Sequence, residues 1–413
     1  MSPAARQLAA LNRLVAEIAN TNRFYRAKLA AADGLLGFAS LADFSARMPF
    51  TTKDELARDQ IAHPPYGTTL TYPQETYTRY HQTSGTSGRP LVWLDNNESW
   101  AWLLENWRGI WRAADARPGD AAFFAFSFGP FLGFWTAFEA ASRMGCLCLA
   151  SGGLSSGARL KMLLDNRATV LLCTPTYALH LAECAREQGV EIKGVLRAII
   201  VAGEPGGSIP ATRARIEDAW QARVFDHTGM TEIGPLAIEC SAQPGGLHTL
   251  DEDYFAEVVD PVSGKPTKRG EMGVLVLTNL GRLGSPLIRY RTGDIVRVDP
   301  APCPCGSPWM RLVGGILGRT DDMIAVRGNN VYPSALENVI RRFPEIGEYR
   351  VTIDQTVSMT EVRIEYEAEV DGLNEPLASA IRDDLLFRAD VSQVPTGTLP
   401  RFEMKARRVV VRK

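Results

Sequence analysis

Apolar positions near the start of the chain fall three or four residues apart: Leu8, Leu11, Leu14, Val15 and Ile18 mark one face of an amphipathic helix. Residues 1–60 read as helical, and the run Pro49-Phe50-Thr51-Thr52-Lys53-Asp54-Glu55-Leu56 reads as a capped helix start. An aromatic-rich, strand-like stretch follows at 72–80. From about 90 to 240, apolar runs (121–128, 147–149, 170–173, 196–201, 223–225) alternate with helical stretches (158–166, 177–188, 210–220). That alternation predicts parallel α/β layers. Between about 250 and 315 the pattern changes to strand and turn, with runs at 254–259, 273–278 and 295–298, and a more antiparallel β portion is expected. Beyond 318–322 comes a short α+β pattern: strand 323–326, helix 333–342, strands 349–354 and 360–366, helix 375–386, and a polar tail to Lys413. The expected fold class is α/β: a large N-terminal α/β core, 1–320, with parallel sheets and a β-rich portion, plus a small α+β C-terminal domain, 321–413.

Composition narrows the classes. At 413 residues, 45% hydrophobic and 22% charged, the chain is an ordinary globular one with room for two or three domains. A net charge of −2 offers no electrostatic case for nucleic acid or an acidic membrane. No apolar run reaches membrane-spanning length, and the first thirty residues do not resemble a signal peptide. Seven cysteines, an odd number without framework spacing, suit reduced thiols and a cytoplasmic location.

Candidate chemistry begins at Thr83-Ser84-Gly85-Thr86-Ser87-Gly88-Arg89-Pro90. Glycines let the backbone approach an anion, and consecutive N–H groups with Ser/Thr hydroxyls can wrap phosphate oxygens. The run lacks the spacing and the terminal Lys-Ser/Thr of a Walker A loop, and taken alone a Ser/Gly/Thr run is more often a flexible loop. Gly203-Glu204-Pro205 follows an apolar strand, where ligands gather in α/β sheets. Asp226-His227-Thr228-Gly229-Met230-Thr231-Glu232 follows the next one, and its Glu232 carboxylate suits Mg²⁺. Asp294, after Arg289-Tyr290-Arg291-Thr292-Gly293, suits a ribose diol as a double acceptor. Arg319 and Asp321 stand at the expected domain junction, and Lys405 lies on a polar loop near the C-terminus. Singly, each has a bland reading: a turn residue for Asp294, a helix-capping carboxylate for Glu232, a solvated basic face for Lys405.

Taken in order, TSGTSGRP at 83–90, GMTEIGP at 229–235, SPLIRYRTGDIV at 285–296, GRTDDMIAVRGNNVYP at 318–333 and LPRFEMKARRV at 399–409 resemble the acyl-adenylating superfamily of acyl-CoA synthetases, peptide-synthetase adenylation domains and luciferases. Within it the chain is most similar to the phenylacetate–CoA ligase branch of aryl-acid ligases. The resemblance implies ATP-dependent conversion of an aromatic acid to an acyl-AMP, with Mg²⁺, followed by thioester formation with coenzyme A. A carrier-protein phosphopantetheine is the alternative acceptor, and a homodimer is left open. It implies that Thr83–Gly88 cradle the β- and γ-phosphates and that Thr231 contacts the α-phosphate. Glu232 would hold Mg²⁺, and Asp294 the ribose. Lys405 would bridge carboxylate and α-phosphate. Gly203, Glu204, Pro205, Asp226, His227, Thr228 and Arg319 complete the nucleotide site, and Asp321 is the hinge about which the small domain rotates. The chain departs from the superfamily pattern where Thr228 stands in place of the usual adenine-stacking Tyr, where Arg89 replaces a common Lys, and where Met404 replaces the glycine before the lysine. A rival of another class is a non-catalytic acyl or nucleotide sensor that has kept the fold. Retention of Thr231, Glu232, Asp294 and Lys405 together argues against it.

Two further sets stand out. Cys303-Pro304-Cys305-Gly306 is a knuckle of soft ligands, and with Cys240 and His248 it offers a Cys₃His set suited to structural Zn²⁺. The resemblance supports that reading; the bland one is buried thiols and a surface histidine. The stretch 123–135 is dense in aromatics, most of them expected in the core. By resemblance Phe126, Phe128 and Phe131 line the acyl pocket, with Gly229 beside it, and His227 could bond a ring amino or hydroxyl group. Trp100, Trp102, Trp107 and Trp111 are expected to pack a helix.

Overall fold

The computed structural model describes residues 2–34, 36–83, 90–326, 329–356, 360–402 and 406–412. Ser84, Gly85, Thr86, Ser87, Gly88 and Lys405 therefore lie outside the described residues. The chain is α/β, with parallel and antiparallel sheets. By contact it divides into two compact units, Met1–Gly152 with His227–Gly315, and Gly153–Asp226 with Ile316–Lys413. The Gly315–Ile316 seam lies close in sequence to residue 320. The seams at 152–153 and 226–227 have no counterpart in the hydrophobic pattern.

The first unit opens with helices Pro3–Thr21, Arg23–Ala31, Leu41–Arg47 and Lys53–Ala62. Leu11, Leu14, Val15 and Ile18 are buried together with Tyr25, Leu29 and Phe44, as the spacing requires. Thr52 and Glu55 cap the fourth helix reciprocally: the Thr52 side chain accepts the Glu55 N–H and the Glu55 side chain accepts the Thr52 N–H. A hairpin then pairs Tyr77–Gln82 with Val92–Asn96. The helix Asn97–Ala113, capped by the Asn96 side chain, buries Trp100, Leu103, Leu104, Trp107, Ile110 and Trp111 on one face. Ala121–Phe124 and Leu147–Ala150 pair in parallel. His227–Met230, Gly234–Glu239, Gly246–Thr249 and Arg311–Val313 run antiparallel, as do Tyr254–Val259, Met272–Asn279 and Tyr290–Arg297.

In the second unit, Val170–Cys173, Ala198–Val201 and Arg223–Asp226 pair in parallel, between helices Ser156–Asp165, Pro175–Glu187 and Pro210–Trp220. The C-terminal residues add helices Pro333–Ile340 and Asn374–Leu385 and a four-stranded sheet ordered Asp390–Val394, Glu361–Ala368, Ile346–Asp354, Val409–Arg412. Val351, Ile353, Val362, Ile364, Leu336, Val339, Leu377 and Ile381 form its core. The tail is thus not merely polar. Two of its stretches are strands that pair in parallel with distant partners, Val351 beside Val409 and Ile364 beside Val391. The run expected at 295–298 starts earlier, at Tyr290, because a bulge accommodates the polar Arg291–Asp294 within the strand.

Candidate active site

Thr83 closes the neck of the glycine-rich loop. Its N–H donates to the Leu91 carbonyl at 2.9 Å and its hydroxyl accepts the Leu91 N–H at 3.0 Å. These bonds hold Thr83 to Leu91 just beyond the paired strands Tyr77–Gln82 and Val92–Asn96. The Thr231–Glu232 turn joins two antiparallel strands, which lie so close that a Cβ added at Gly229 would be 2.7 Å from the Gly234 carbonyl of the facing strand. Glu232 is buried and Thr231 half-buried.

A residue with no motif signal ties these parts together. Arg282 donates through Nη1 to the carbonyls of Thr231 (3.1 Å) and Glu232 (3.0 Å). Through Nε and Nη2 it grips both oxygens of Asp95, at 2.7 and 2.6 Å. Both side chains are 0% exposed, and the guanidinium lies over the Trp93 ring. A planar fork bound twice to a carboxylate fixes orientation as well as distance. Asp95 belongs to the loop-bearing hairpin, so the loop's base and the Thr231–Glu232 turn share one anchor. His81, on the other hairpin strand, stands 4.0 Å from Asp95 and stacks flat on Trp100. Burial, reinforced by Arg282 and Arg79, outweighs the pull of Asp95 and lowers its pKa to about 4. Arg282, Asp95 and His81 escaped the sequence reading because nothing in their spacing links them.

His227 is buried, and its Nδ1 lies 2.8 Å from the Ala237 carbonyl. Burial holds its pKa down to about 4, so the ring is neutral near pH 7. With Nδ1–H donating to that carbonyl, Nε2 keeps its lone pair as an acceptor. Its ring packs on Trp107, centroids 4.6 Å apart, and ring contacts continue through Trp111 and Phe124 to Phe126 and Phe128. Phe126 stacks on Phe134 at 3.9 Å, and Phe131 meets Phe134 at 6.1 Å. Phe128, Phe131 and Phe134 remain half-buried. Trp107 packs its helix as expected, and it also braces His227.

Asp294 is buried in the Tyr290–Arg297 strand, on the bulge where Gly293 takes φ +81°. Its N–H donates to the Thr292 hydroxyl at 3.0 Å, which in turn donates to the Leu275 carbonyl at 3.0 Å. In the second unit, Gly203, Glu204 and Pro205 follow the Ala198–Val201 strand, and the backbone turns there at φ +94° on Gly203. The Glu204 carboxylate accepts the Thr176 N–H at 2.9 Å and the Ala406 N–H at 2.7 Å. Asp226, at the end of the neighbouring strand, accepts from the Ser208 hydroxyl at 2.5 Å. Arg319 lies 3.7 Å from Asp321, which is exposed.

Cys240, His248, Cys303 and Cys305 converge within the first unit, their ligand atoms all within 4.8 Å of one another. Strand pairing sets this up: His248 lies opposite Ile238 and Arg311. The Cys240 and Cys303 sulfurs are 3.4 Å apart, as are the Cys305 sulfur and His248 Nε2. Such separations are too long for a disulfide and close to the ~3.5–3.8 Å edges of a tetrahedral Zn²⁺ site. His248 Nδ1 lies 3.3 Å from the Trp309 carbonyl, and Nε2 faces the Cys305 sulfur. Among the described residues no helix is long and apolar enough to cross a membrane.

Known proteins match this chain over most of its length. The AMP-binding enzyme family matches residues 72–281, and the AMP-binding enzyme C-terminal domain matches residues 328–413. A phenylacetate-coenzyme A ligase of Thermus thermophilus is 33% identical over 97% of this chain and 94% of its own length. Another, of Pseudomonas putida, is 32% identical over 87% and 83%. A crystal structure of 2-hydroxyisobutyryl-CoA ligase, in the postadenylation state with 2-HIB-AMP, superposes with a TM-score of 0.92 at 29% identity, covering 98% of this chain and 89% of that one. This chain belongs to the AMP-binding enzyme family, as an AMP-forming acid–thiol ligase akin to the phenylacetate–coenzyme A ligases.

Proposed function

We propose that this ligase activates an aromatic carboxylic acid of the benzoate, aminobenzoate, hydroxybenzoate or phenylacetate type. The observation that carries this reading is the unbroken run of contacting rings from His227 through Trp107, Trp111, Phe124, Phe126 and Phe134 to Phe131, half-buried at its Phe131 end and with a neutral imidazole at the other. Ring faces and edges suit a flat substrate ring. An Nε2 lone pair can accept a hydrogen bond from a ring amino or hydroxyl group, and such a bond discriminates strongly against analogues that lack the donor. The phenylacetate ligases among the relatives point to the same class of acid.

In the first half-reaction a carboxylate oxygen bonds to the α-phosphorus of ATP as the bond to pyrophosphate breaks. In the second, a thiol sulfur adds to the acyl carbon, loses its proton, and AMP leaves. Charge spreading over the phosphoryl oxygens must be met by fixed dipoles and cations. The 83–88 loop supplies backbone N–H groups at the β- and γ-phosphates. Thr231 addresses the α-phosphate, Asp294 the ribose hydroxyls, and Lys405 both the carboxylate and the α-phosphate. Glu232 would hold Mg²⁺, which neutralises phosphate charge. Gly203, Pro205, Asp226, Thr228 and Arg319 frame the nucleotide. The small domain, bounded near residue 320, turns about Asp321 between the two steps.

Acid-dependent ATP–pyrophosphate exchange over benzoates, phenylacetates, cinnamates and aliphatic acids tests the reading. Strong exchange with one aromatic subset is expected, and Lys405→Ala should abolish it while ATP still binds. Exchange confined to aliphatic acids would overturn it. His227→Ala should erode any preference for ring-substituted acids, and an unchanged preference would remove His227 from the pocket. The thiol acceptor is taken to be coenzyme A. Acylation of a phosphopantetheinylated carrier protein at a greater rate would favour the alternative.

We also propose that Cys240, His248, Cys303 and Cys305 hold a structural Zn²⁺. Three thiolates and one imidazole fill a tetrahedron, which leaves no open position for chemistry. Metal analysis should give about one zinc per chain, and Cys303→Ser should lower both zinc content and melting temperature. A metal-free wild-type protein of unchanged stability would sink the assignment.

A further inference from the structure

Glu204 is read from the motif as a nucleotide-site residue, yet its carboxylate is otherwise engaged. One oxygen accepts the N–H of Thr176, in the first turn of helix Pro175–Glu187, and the other accepts the N–H of Ala406. The two donors are 230 residues apart, and Ala406 is the residue after Lys405. Burial is the largest influence on Glu204 and raises its pKa, against the opposing effect of its hydrogen bonds. The same helix receives the segment at two more points. Arg408 donates through Nη1 to the Thr176 hydroxyl at 3.1 Å, and Arg401 lies 3.5 Å from Glu183.

Arg408 itself is locked into the C-terminal sheet. It pairs with Glu348 through two nitrogens, stands 4.0 Å from Glu337, and stacks over Tyr349. Its carbonyl accepts the Val351 N–H at 2.7 Å. The segment therefore has two kinds of tie. Those to its own sheet are dense and buried. Those to the Pro175–Glu187 helix and to Glu204 are few, and each is made by a single pair of groups. Only the second kind can be exchanged without unfolding the C-terminal core.

We propose that Glu204 is a positioning residue that latches the lysine-bearing segment for adenylation and releases it for thioester formation. Holding the Ala406 N–H restrains the residue that follows Lys405 in sequence. An ammonium misplaced by an ångström loses much of its effect on the transition state. The proposal rests on the assignment of Lys405 to the first half-reaction.

The test separates the two half-reactions in the full-length protein. Glu204→Gln keeps the shape but turns an NH₂ toward one of two N–H donors. ATP–pyrophosphate exchange, run with whichever panel acid is fastest, should fall roughly 10- to 100-fold in kcat with little change in the KM for ATP. Thioester formation from the chemically prepared adenylate of that acid and coenzyme A should stay within about 2-fold of wild type. An equal fall in both half-reactions, no fall in either, or a rise confined to the KM for ATP would overturn the latch. The last result would return Glu204 to nucleotide binding. Should Glu204→Gln not fold, Thr176→Val removes the Arg408 acceptor and should show the same split at a smaller magnitude. Lys405→Ala run alongside identifies which idea fails. If exchange survives that change, the lysine assignment falls first. If exchange is lost there but untouched by Glu204→Gln, only the latch falls.

Discussion

Arg282 holds Asp95 with two parallel hydrogen bonds, and neither side chain reaches solvent; Glu204 holds Ala406 with one bond from a half-buried carboxylate. Both anchor a segment assigned to adenylation. The first anchor is bidentate, and its cation also grips two carbonyls of the Thr231–Glu232 turn. Breaking it would strand a bare charge in the interior. The second accepts from two backbone N–H groups that water could satisfy once they part. The joint proposed to keep the phosphate-binding parts in register is built from buried, interlocking charge. The joint proposed to open in each turnover is built from replaceable contacts.

Removing half of the rigid joint should have the largest effect. Asp95→Ala leaves Arg282 buried without its partner and should cost about 3–5 kcal/mol in urea denaturation. Both half-reactions should fall together. A loss confined to adenylation, with full stability, would erase the distinction between the joints.

Acid should weaken the first unit next. His81 and His227 have folded-state pKa values lowered from 6.5 to about 4 by burial. Above pH 6.5 both are neutral whether folded or not. As pH falls below 6.5, the unfolded chain takes up their protons and the folded one does not, so stability is lost down to about pH 4. Between pH 6.5 and 5 the loss is on the order of 2 kcal/mol for each histidine. His81→Gln should flatten part of that slope, as measured by denaturation at the two pH values. An unchanged slope would mean that His81 is not excluded from water beside Asp95.

A smaller effect is expected of Thr176→Val, about 1 kcal/mol, from the hydroxyl it denies to buried Arg408. The smallest belongs to Lys161→Ala. Its ion pair with Asp165 is exposed, at 75% and 58%, and the denaturation midpoint should not move measurably. That control sets the scale: equal spacing of charges along the chain says nothing about their weight.

Much of the fold was legible because its signals are local. Val170–Cys173, Pro210–Trp220 and Tyr254–Val259 coincide with the runs read from periodicity alone. The capped start at Thr52 became a full capping box with Glu55. The pairing of Val409–Arg412 with Ile346–Asp354 was not legible, because a short tail of three valines carries no mark of a strand partner some sixty residues upstream. The Cys₃His set lay between these cases. The knuckle at 303–305 is local, but its meeting with Cys240 depends on how two strands pair.

The sequence by itself determined the adenylation motifs and their order, the individual strands and helices of the α/β alternation, and the helix caps, since each motif, element and cap is written in residues that neighbour one another along the chain. Tertiary structure alone decided that Arg282 would bind the Thr231–Glu232 turn, that His227 would face the interior as a neutral acceptor, and that Glu204 would spend its carboxylate on Ala406. Hydrogen bonds and charge pairs between distant residues depend on the path of the chain between them, and no spacing rule encodes that path.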